Sequence, residues 1–368
     1  MLAILHAFSR KNSGDGLLVD LSLALVERAG LRAADCRIFA LEAASFPDLA
    51  HVVQVPGEPR GKLSWRAMGG GLELLRAWSG AGRIATLLKD CSGVLAVGGG
   101  YLVADSVVRS GGVLLNHLPQ ILAAGRAPVP SIYLPQSIGP LRGPAGELTR
   151  RALARIDVLY VRDDETLREL GSITDVRRCP DLAVLRLAES LETMRVPQGK
   201  QGGPTVLVAR ELPRAPGYEA NLVRLGKAVA SPLWAVQADV DGPRSDRRFL
   251  RVLDVPDAGD MSTVLSRHAP GVVVSVRLHG AIAALLAGWP AIHLSYERKG
   301  RGAYEDLGIE EYVHDARNFD AAKVRAQVES LHENPEPLFA RINARRAALM
   351  ESYQRLVDDV ARRLGSAR

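Results

Sequence analysis

Short β-branched runs alternate with helical stretches along almost all of this 368-residue chain. That alternation restricts the fold more than any single motif. Central strands of a parallel sheet read as near-continuous apolar runs, and each needs a crossover, usually a helix, before the next. In the first half, strands are expected at Ala3–Ala7, Arg37–Leu41, Val94–Val97, Ser131–Pro135 and Val158–Val161. Helical stretches follow many of them, at Asp15–Ala29, Leu72–Lys89, Pro144–Ala154 and Asp164–Leu170. The pattern breaks at Pro197-Gln198-Gly199-Lys200-Gln201-Gly202-Gly203-Pro204, which carries two prolines, three glycines and no apolar residue. By composition this is a linker. Strands resume at Val206–Ala209, Leu233–Gln237, Val272–Val276 and Ala291–Leu294, with helices near 217–229, 243–252, 261–268, 280–287 and 319–331. The segment 335–366 reads as one or two amphipathic helices. The expectation is an α/β protein of two doubly wound, Rossmann-like domains facing a cleft. They occupy 1–195 and 205–335, joined by a linker at 196–204, and the C-terminal helices at 336–368 are free to cross back to the first domain.

Composition narrows the function. The net charge is +6 but no long Lys/Arg run occurs, and aromatic residues are only 5%. Both argue against nucleic acid as a partner and leave an acidic substrate or an anionic membrane surface. Cys36, Cys91 and Cys179 are scattered, with no Cys-x-x-Cys or Cys/His spacing, so no metal site is expected and a reducing cytoplasm fits. Met1–His6 is apolar but short, and reads as a first core strand rather than a signal peptide. No stretch of about 18 apolar residues is present, so no membrane span is expected. The phosphate loop of nucleotide-binding enzymes, the serine-hydrolase elbow and the His-Glu-x-x-His zinc motif are all missing from the sequence.

Chemistry-bearing residues gather where strands should end. Gly271-Val272-Val273-Val274-Ser275-Val276-Arg277-Leu278-His279-Gly280 reads as a buried strand running into a helix, with Gly288 as that helix's stop. A helix N-terminus attracts anions, an arginine fork matches carboxylate or phosphate, and a histidine exchanges protons near neutrality. The plain alternative is an Arg277–carboxylate pair and a capping histidine. Arg210 ends Thr205-Val206-Leu207-Val208-Ala209, the first strand of the second half, either near the same crevice or in an ion pair with Glu211. Ser295-Tyr296-Glu297-Arg298-Lys299-Gly300-Arg301-Gly302 reads as a basic loop suited to phosphate. In the first half, Asn12-Ser13-Gly14-Asp15 precedes a helix that Asp15 would cap. Gly98-Gly99-Gly100 opens backbone to a sugar or phosphate, and Asp105 offers an acceptor for a hydroxyl. Gln136 and Ser137 offer hydrogen bonds at another strand end, beside the plain alternative of a turn. Arg162 and Asp163 would pair with each other and cap the next helix, and Asp181 would face the cleft.

Taken in order, Asn12-Ser13-Gly14-Asp15, Gly98-Gly99-Gly100, Gln136-Ser137-Ile138-Gly139-Pro140-Leu141, Val161-Arg162-Asp163, Pro180-Asp181, Arg277-Leu278-His279 and Tyr296 with Lys299 resemble the polysaccharide pyruvyl transferases. The resemblance implies a GT-B-like fold, phosphoenolpyruvate as co-substrate with no cofactor, and a sugar acceptor of a cell-surface polysaccharide or its lipid-linked precursor. It makes Arg277, Leu278 and His279 donor-binding, with His279 and Arg277 catalytic, and adds Arg210 and Lys299 to the donor site. Asp15, Gly99, Gly100, Asp105, Gln136 and Ser137 are then the acceptor-side candidates. Gly16 follows Asp15 where the family usually has a larger polar residue. The expected place is the cytoplasm, with the basic surface leaving room for a peripheral position on the inner face of the membrane. A GT-B glycosyltransferase using a nucleotide sugar is the rival enzyme, given Glu297 and Glu305 at Glu-x7-Glu spacing, and a non-catalytic carbohydrate-binding protein is the rival from another class.

Overall fold

The computed structural model describes residues 1–55, 63–79, 82–173, 175–240 and 245–365, and within these the side chains of 63–70 and 298–299 lie outside the described set. Fifteen strands occur among the described residues: β1 Leu2–Ala7, β2 Cys36–Ala40, β3 Val52–Gln54, β4 Gly93–Ala96, β5 Leu102–Ala104, β6 Ser131–Gln136, β7 Ile138–Leu141, β8 Val158–Val161, β9 Val176–Arg178, β10 Thr205–Val208, β11 Pro232–Val236, β12 Asp257–Asp260, β13 Val272–Ser275, β14 Ala291–Ser295 and β15 Val313–Asp315. The chain divides into two compact units. Unit 1 is Met1–Arg10, Asp15–Leu182 and Ser352–Arg368; unit 2 is Lys11–Gly14 and Ala183–Glu351.

Unit 1 is built on a parallel sheet in the order β3-β2-β1-β4-β6-β8-β9, with β5 and β7 as a separate parallel pair. The central strands are the apolar runs expected from sequence: β1, β4, β6 and β8 are buried along their whole length. Ala3, Leu5, Phe39, Val94, Ala96, Tyr133 and Leu159 pack with Ile84, Leu88, Ile121 and Leu153 from the covering helices. The last stretch of the helix Glu336–Gly365 also belongs to this unit. Its Asp359, 2% exposed, accepts from the Tyr160 hydroxyl at 2.8 Å and from Arg177 Nη1 at 2.9 Å.

Unit 2 repeats the plan in the order β12-β11-β10-β13-β14-β15, all parallel. Its middle strands β10 and β13 are fully buried, and β13 leads into the helix Leu278–Leu286. That helix ends where Gly288 adopts φ +77°, a left-handed turn that favours glycine.

The division falls elsewhere than composition suggests. The helix Leu182–Ser190 is buried from Leu182 to Leu185, and from Ala183 it packs as part of unit 2. The Pro/Gly-rich stretch at 197–204 is tied down inside unit 2 rather than spanning two bodies: Gln201 N–H donates to His332 O at 2.6 Å and Gly203 N–H to Pro270 O at 3.0 Å. A side chain on Gly203 would collide with the Ala269 and Pro270 carbonyls, so the glycine serves close backbone packing. The stretch expected as a basic loop at 295–302 is the end of β14 followed by a helix, Arg298–Leu307. The helix expected at 72–89 is two, Leu63–Trp78 and Arg83–Leu88, with residues 80–81 outside the described set. Residues 243–244 of the helix expected at 243–252 also lie outside it; the described helix is Asp246–Val252. Among the described residues no helix is long and apolar enough to cross a membrane.

Candidate functional site

In an open parallel sheet, ligands gather beyond the carboxyl ends of the strands where the strand order reverses. In unit 2 the reversal lies between β10 and β13. Arg210 follows β10 and Arg277 follows β13, so these two predicted residues flank the reversal. Ser275 makes the turn out of β13: its Oγ donates to Arg277 O at 2.7 Å and accepts from Arg277 N–H at 3.1 Å. Arg277 then stands at the N-cap of Leu278–Leu286, with extended backbone. This is why a strand ending in Ser-Val-Arg places the arginine at the helix mouth.

Arg277 does pair with a carboxylate, one that sequence reading missed. Asp246, fully buried, accepts from Arg277 Nε at 2.9 Å through both oxygens. It also accepts the N–H groups of Gln237 at 3.1 Å and Ala238 at 2.9 Å. The only hint in the sequence is Ser245-Asp246 at a helix start, which reads as an ordinary cap, and Ser245 is in fact the cap. Such a clamp fixes one edge of the guanidinium and holds it in a set orientation. Leu278 turns into the core at 5% exposure.

His279 is half-buried in the first turn of the same helix, against Gly14. A Cβ on Gly14 would come within 3.0 Å of the His279 Cβ and Nδ1. The Asn12-Ser13-Gly14 stretch is docked here because Ser13 Oγ donates to Gln237 O at 2.8 Å and Asp239 N–H donates to Lys11 O at 3.0 Å. The glycine of the first motif thus makes room for the histidine of Arg277-Leu278-His279. The helix starts at Ser13, so Asp15 lies in its first turn rather than at the cap, and its carboxylate meets the positive helix end.

Arg210 is not in the ion pair with Glu211 that the sequence allowed; Glu211 faces Arg248 at 3.7 Å. Arg210 Nη1 donates to the Tyr296 hydroxyl at 2.7 Å, and the guanidinium lies over the Tyr296 ring at 5.1 Å. Its Nε is buried with no hydrogen-bond partner among the described residues. The Lys299 side chain lies outside the described residues, and Arg301 is exposed on its helix.

In unit 1 the reversal lies between β1 and β4. Gly98 and Gly99 follow β4, and Ser137 N–H donates to Gly99 O at 2.8 Å, which brings two of the predicted loops together. A Cβ on Gly98 would strike the Pro135 carbonyl, so glycine permits that approach. Gln136 is fully buried, and neither its Oε1 nor its Nε2 has a hydrogen-bond partner among the described residues. A buried amide left so costs free energy unless something meets it. Arg162 pairs not with Asp163 but with Asp181, both almost completely buried, and its Nε donates to Ser137 Oγ at 3.1 Å. Asp181 is therefore turned into the protein at 1% exposure, where it neutralises Arg162. Asp163 caps the next helix, accepting from Thr166 N–H at 2.8 Å. Asp105 pairs with Arg109 at 3.1 Å.

Sequence reading also missed two histidines at this end of unit 1. His6 Nδ1 lies 3.2 Å from His117 Nδ1, and His6 Nε2 lies 3.0 Å from the Tyr133 hydroxyl. Tyr101 stacks on His117 with centroids 4.6 Å apart. Burial lowers the affinity of both imidazoles for a proton and holds His117 at about 4, and at His6 the neighbouring His117 adds to the shift. Burial pushes the Tyr101 hydroxyl well up, with Tyr133 reinforcing the shift and Arg162 opposing it.

The profile of the family described as polysaccharide pyruvyl transferase matches residues 12–298, most of the chain. A search of the curated proteins returns no match. Among solved structures, the chain is similar to the UDP-GlcNAc 2-epimerase from Neisseria meningitidis in complex with UDP-GlcNAc (TM-score 0.55, 12% identity, 98% of this chain and 100% of that one). A second UDP-N-acetylglucosamine 2-epimerase has TM-score 0.54 at 11% identity, covering 100% of this chain and 97% of that one. At such identities the likeness speaks for the fold alone, two Rossmann-like units of the GT-B kind.

Proposed function

The chain belongs to the polysaccharide pyruvyl transferase family, and from that premise we propose that it transfers pyruvyl from phosphoenolpyruvate to a sugar of a surface polysaccharide or its precursor, closing a pyruvate ketal. What supports the donor reading is one arrangement: Arg277 and His279 at the head of a helix, beside Arg210, at the strand-order reversal of unit 2. Phosphoenolpyruvate carries a phosphate and a carboxylate. Arg210 is a cation with no carboxylate partner among the described residues, and it faces such an anion from the Tyr296 ring. Arg277, locked through Nε and Nη2 by Asp246, is held in a fixed orientation at the helix mouth.

In the mechanism that follows, protonated His279 gives its proton to the methylene carbon of phosphoenolpyruvate. The adjacent carbon becomes oxocarbenium-like, and a sugar hydroxyl attacks it. Phosphate departs with the carbon–oxygen bond electrons, and a second hydroxyl of the same sugar closes the ketal. Arg210 and the helix N-terminus stabilise the charge that collects on phosphate. In unit 1 the unmatched amide of Gln136 and the Gly99 backbone supply hydrogen bonds to the acceptor sugar.

The test uses labelled phosphoenolpyruvate and glycan extracted from the source strain with the gene deleted. The expected product is a sugar carrying a pyruvate ketal, seen by mass spectrometry, with release of phosphate. Arg210→Lys keeps the charge but loses the planar fork, and should weaken phosphoenolpyruvate binding about tenfold or more. Glycosyl transfer from a nucleotide sugar, with phosphoenolpyruvate ignored, would overturn the proposal in favour of the rival enzyme.

A further inference from the structure

Over its last two turns the helix Leu63–Trp78 is turned inside out. Glu73, its carboxylate there, is buried and accepts from the Ile84 N–H at 3.3 Å, and Ala77 packs in the core of unit 1. The large apolar side chains face the other way: Leu72 is 48% exposed, Leu75 72% and Trp78 55%. At roughly 3.6 residues per turn these three span an arc of about 120°, centred opposite Glu73 and Ala77. Single apolar residues scattered on a surface need no explanation, but these are gathered. Seven large apolar side chains are exposed among the described residues. Five of them lie on this helix and on Val107–Gly112, which adds Val107 and Val108. Both helices pack against the turn Val113–His117.

The charge beside this stripe is positive. Arg76 and Arg83 are exposed. So is Arg126, whose Nη1 donates to the Ala77 carbonyl and fastens a third guanidinium at the end of the helix, next to Trp78. Among the described residues from Gly71 to Leu88 no carboxylate is exposed, because Glu73 is buried. Gly125 and Ala127, on either side of Arg126, line an open cavity of about 570 Å³ that Arg155, Arg362 and Arg363 also line. Asp157 in its wall is engaged by Ser131, accepting from its N–H at 2.8 Å and its hydroxyl at 2.9 Å. Arg363 Nε donates to Asp359 at 3.1 Å, and Arg155 is exposed.

We propose that this face of unit 1 docks on an anionic lipid bilayer. Leu72, Leu75 and Trp78 enter the boundary between headgroups and acyl chains, while Arg76, Arg83 and Arg126 meet lipid phosphates. The surface belongs to unit 1 alone, and docking there is independent of the reaction the chain catalyses.

Each part of the surface has a counterpart in such a bilayer. An indole is apolar over its rings and polar at its N–H, which suits the headgroup level, and leucines beside it reach the acyl chains. Three apolar side chains alone hold a protein weakly, and attraction between cations and acidic lipids supplies the rest. A second copy of the chain fits this surface less well. Stripes apposed about a two-fold axis would bring Arg76, Arg83 and Arg126 near their own copies, where like charges repel. Three side chains on about 9 Å of helix also supply far less than the roughly 800 Å² per partner that a stable interface buries.

The test sediments the full chain with vesicles, either phosphatidylcholine alone or phosphatidylcholine mixed with an equal part of phosphatidylglycerol. The protein should bind the mixed vesicles at least about tenfold more tightly, and about 0.5 M salt should remove most of that preference. Leu75→Ser should weaken binding to the mixed vesicles about tenfold, and Arg76→Gln combined with Arg83→Gln about 30-fold. Both variants should keep the wild-type urea midpoint, since the side chains are exposed. Insertion is read separately, by quenching of tryptophan emission with lipids brominated in the acyl chains. It is measured in a Trp65→Phe background, where Trp234 and Trp289 are buried and Trp78 is the reporter. Quenching should appear with the mixed vesicles and vanish in Trp78→Phe, which still binds. Failure of the wild type to sediment with the mixed vesicles overturns the inference, and so does binding without quenching of Trp78. A dimer in analytical ultracentrifugation that Leu75→Ser dissociates would assign the stripe to a second copy instead, and would overturn it as well.

Discussion

Gly14→Ala tests the His279 assignment without touching any group that does chemistry. The added Cβ would lie 3.0 Å from the His279 Cβ and Nδ1 and 3.3 Å from its Cγ. Relaxed carbon contacts need about 3.5–4.0 Å, so the imidazole must retreat by roughly 0.5 Å. Overpacking of this kind costs about 1–3 kcal/mol, but exchanging glycine for alanine in a helical turn returns up to about 1 kcal/mol. The net loss of stability should be about 0–3 kcal/mol. The catalytic loss should exceed what that implies. A misplacement of about 1 Å costs on the order of 10² in rate, so half of it costs about tenfold. The measurement pairs kcat for ketal formation with urea unfolding and with phosphoenolpyruvate affinity. Expected are a tenfold fall in kcat, a small shift in urea midpoint and unchanged affinity. Combining Gly14→Ala with His279→Ala should cost no more than His279→Ala alone, because the alanine acts only through the ring. A variant with wild-type kcat, or a double variant whose losses add in full, would refute the assignment of proton transfer to this histidine.

Two further outcomes follow from buried groups. Asp181→Ala leaves the Arg162 guanidinium charged and almost fully buried, and should destabilise by about 3–5 kcal/mol in chemical denaturation; a loss below about 1 kcal/mol would show that Arg162 finds another anion. The His6–His117 pair makes stability depend on pH. His117 is held at about 4 against an ordinary value near 6.5, so the unfolded chain binds the proton first. Its contribution is fully present above pH 6.5 and is lost as pH falls towards 4, by up to about 3 kcal/mol. Urea midpoints measured across that window should fall in the wild type and flatten in His117→Gln, and equal slopes would contradict the burial of a neutral ring.

The parts legible in the sequence were those that burial writes as a pattern. β1, β4, β8, β10 and β13 are central strands, enclosed on both faces, and appear as apolar runs within a residue or so of their ends. The four outer strands, β3, β9, β12 and β15, carry no such signal, because an edge strand is short and half-exposed. Asp257-Ala258-Gly259-Asp260 is the extreme case: it pairs with β11 yet has a composition that reads as a turn. Arg277 and His279 were legible because strand and helix signals meet on them. Asp246 was not, since its role depends on a fold that brings the start of one helix to the mouth of another. Nor were His6 and His117, two isolated histidines 111 positions apart. Proline and glycine at 197–204 pointed to a linker for a sound reason, freedom of the isolated backbone, but hydrogen bonds to His332 and Pro270 remove that freedom in the folded unit.

The helix Glu336–Gly365 makes unit 1 a discontinuous body: its sheet is encoded before the main part of unit 2, Ala183–Glu351, and its closing piece after it. Leu356, Val360 and Leu364 are buried, and Leu364 lies against Gly93 at the foot of β4. On the ribosome, the first sheet must therefore wait with that face uncovered until all of unit 2 has emerged. Nascent chains halted anywhere before Ser352 expose this waiting surface, and chaperones that shield apolar faces during translation would meet this protein there.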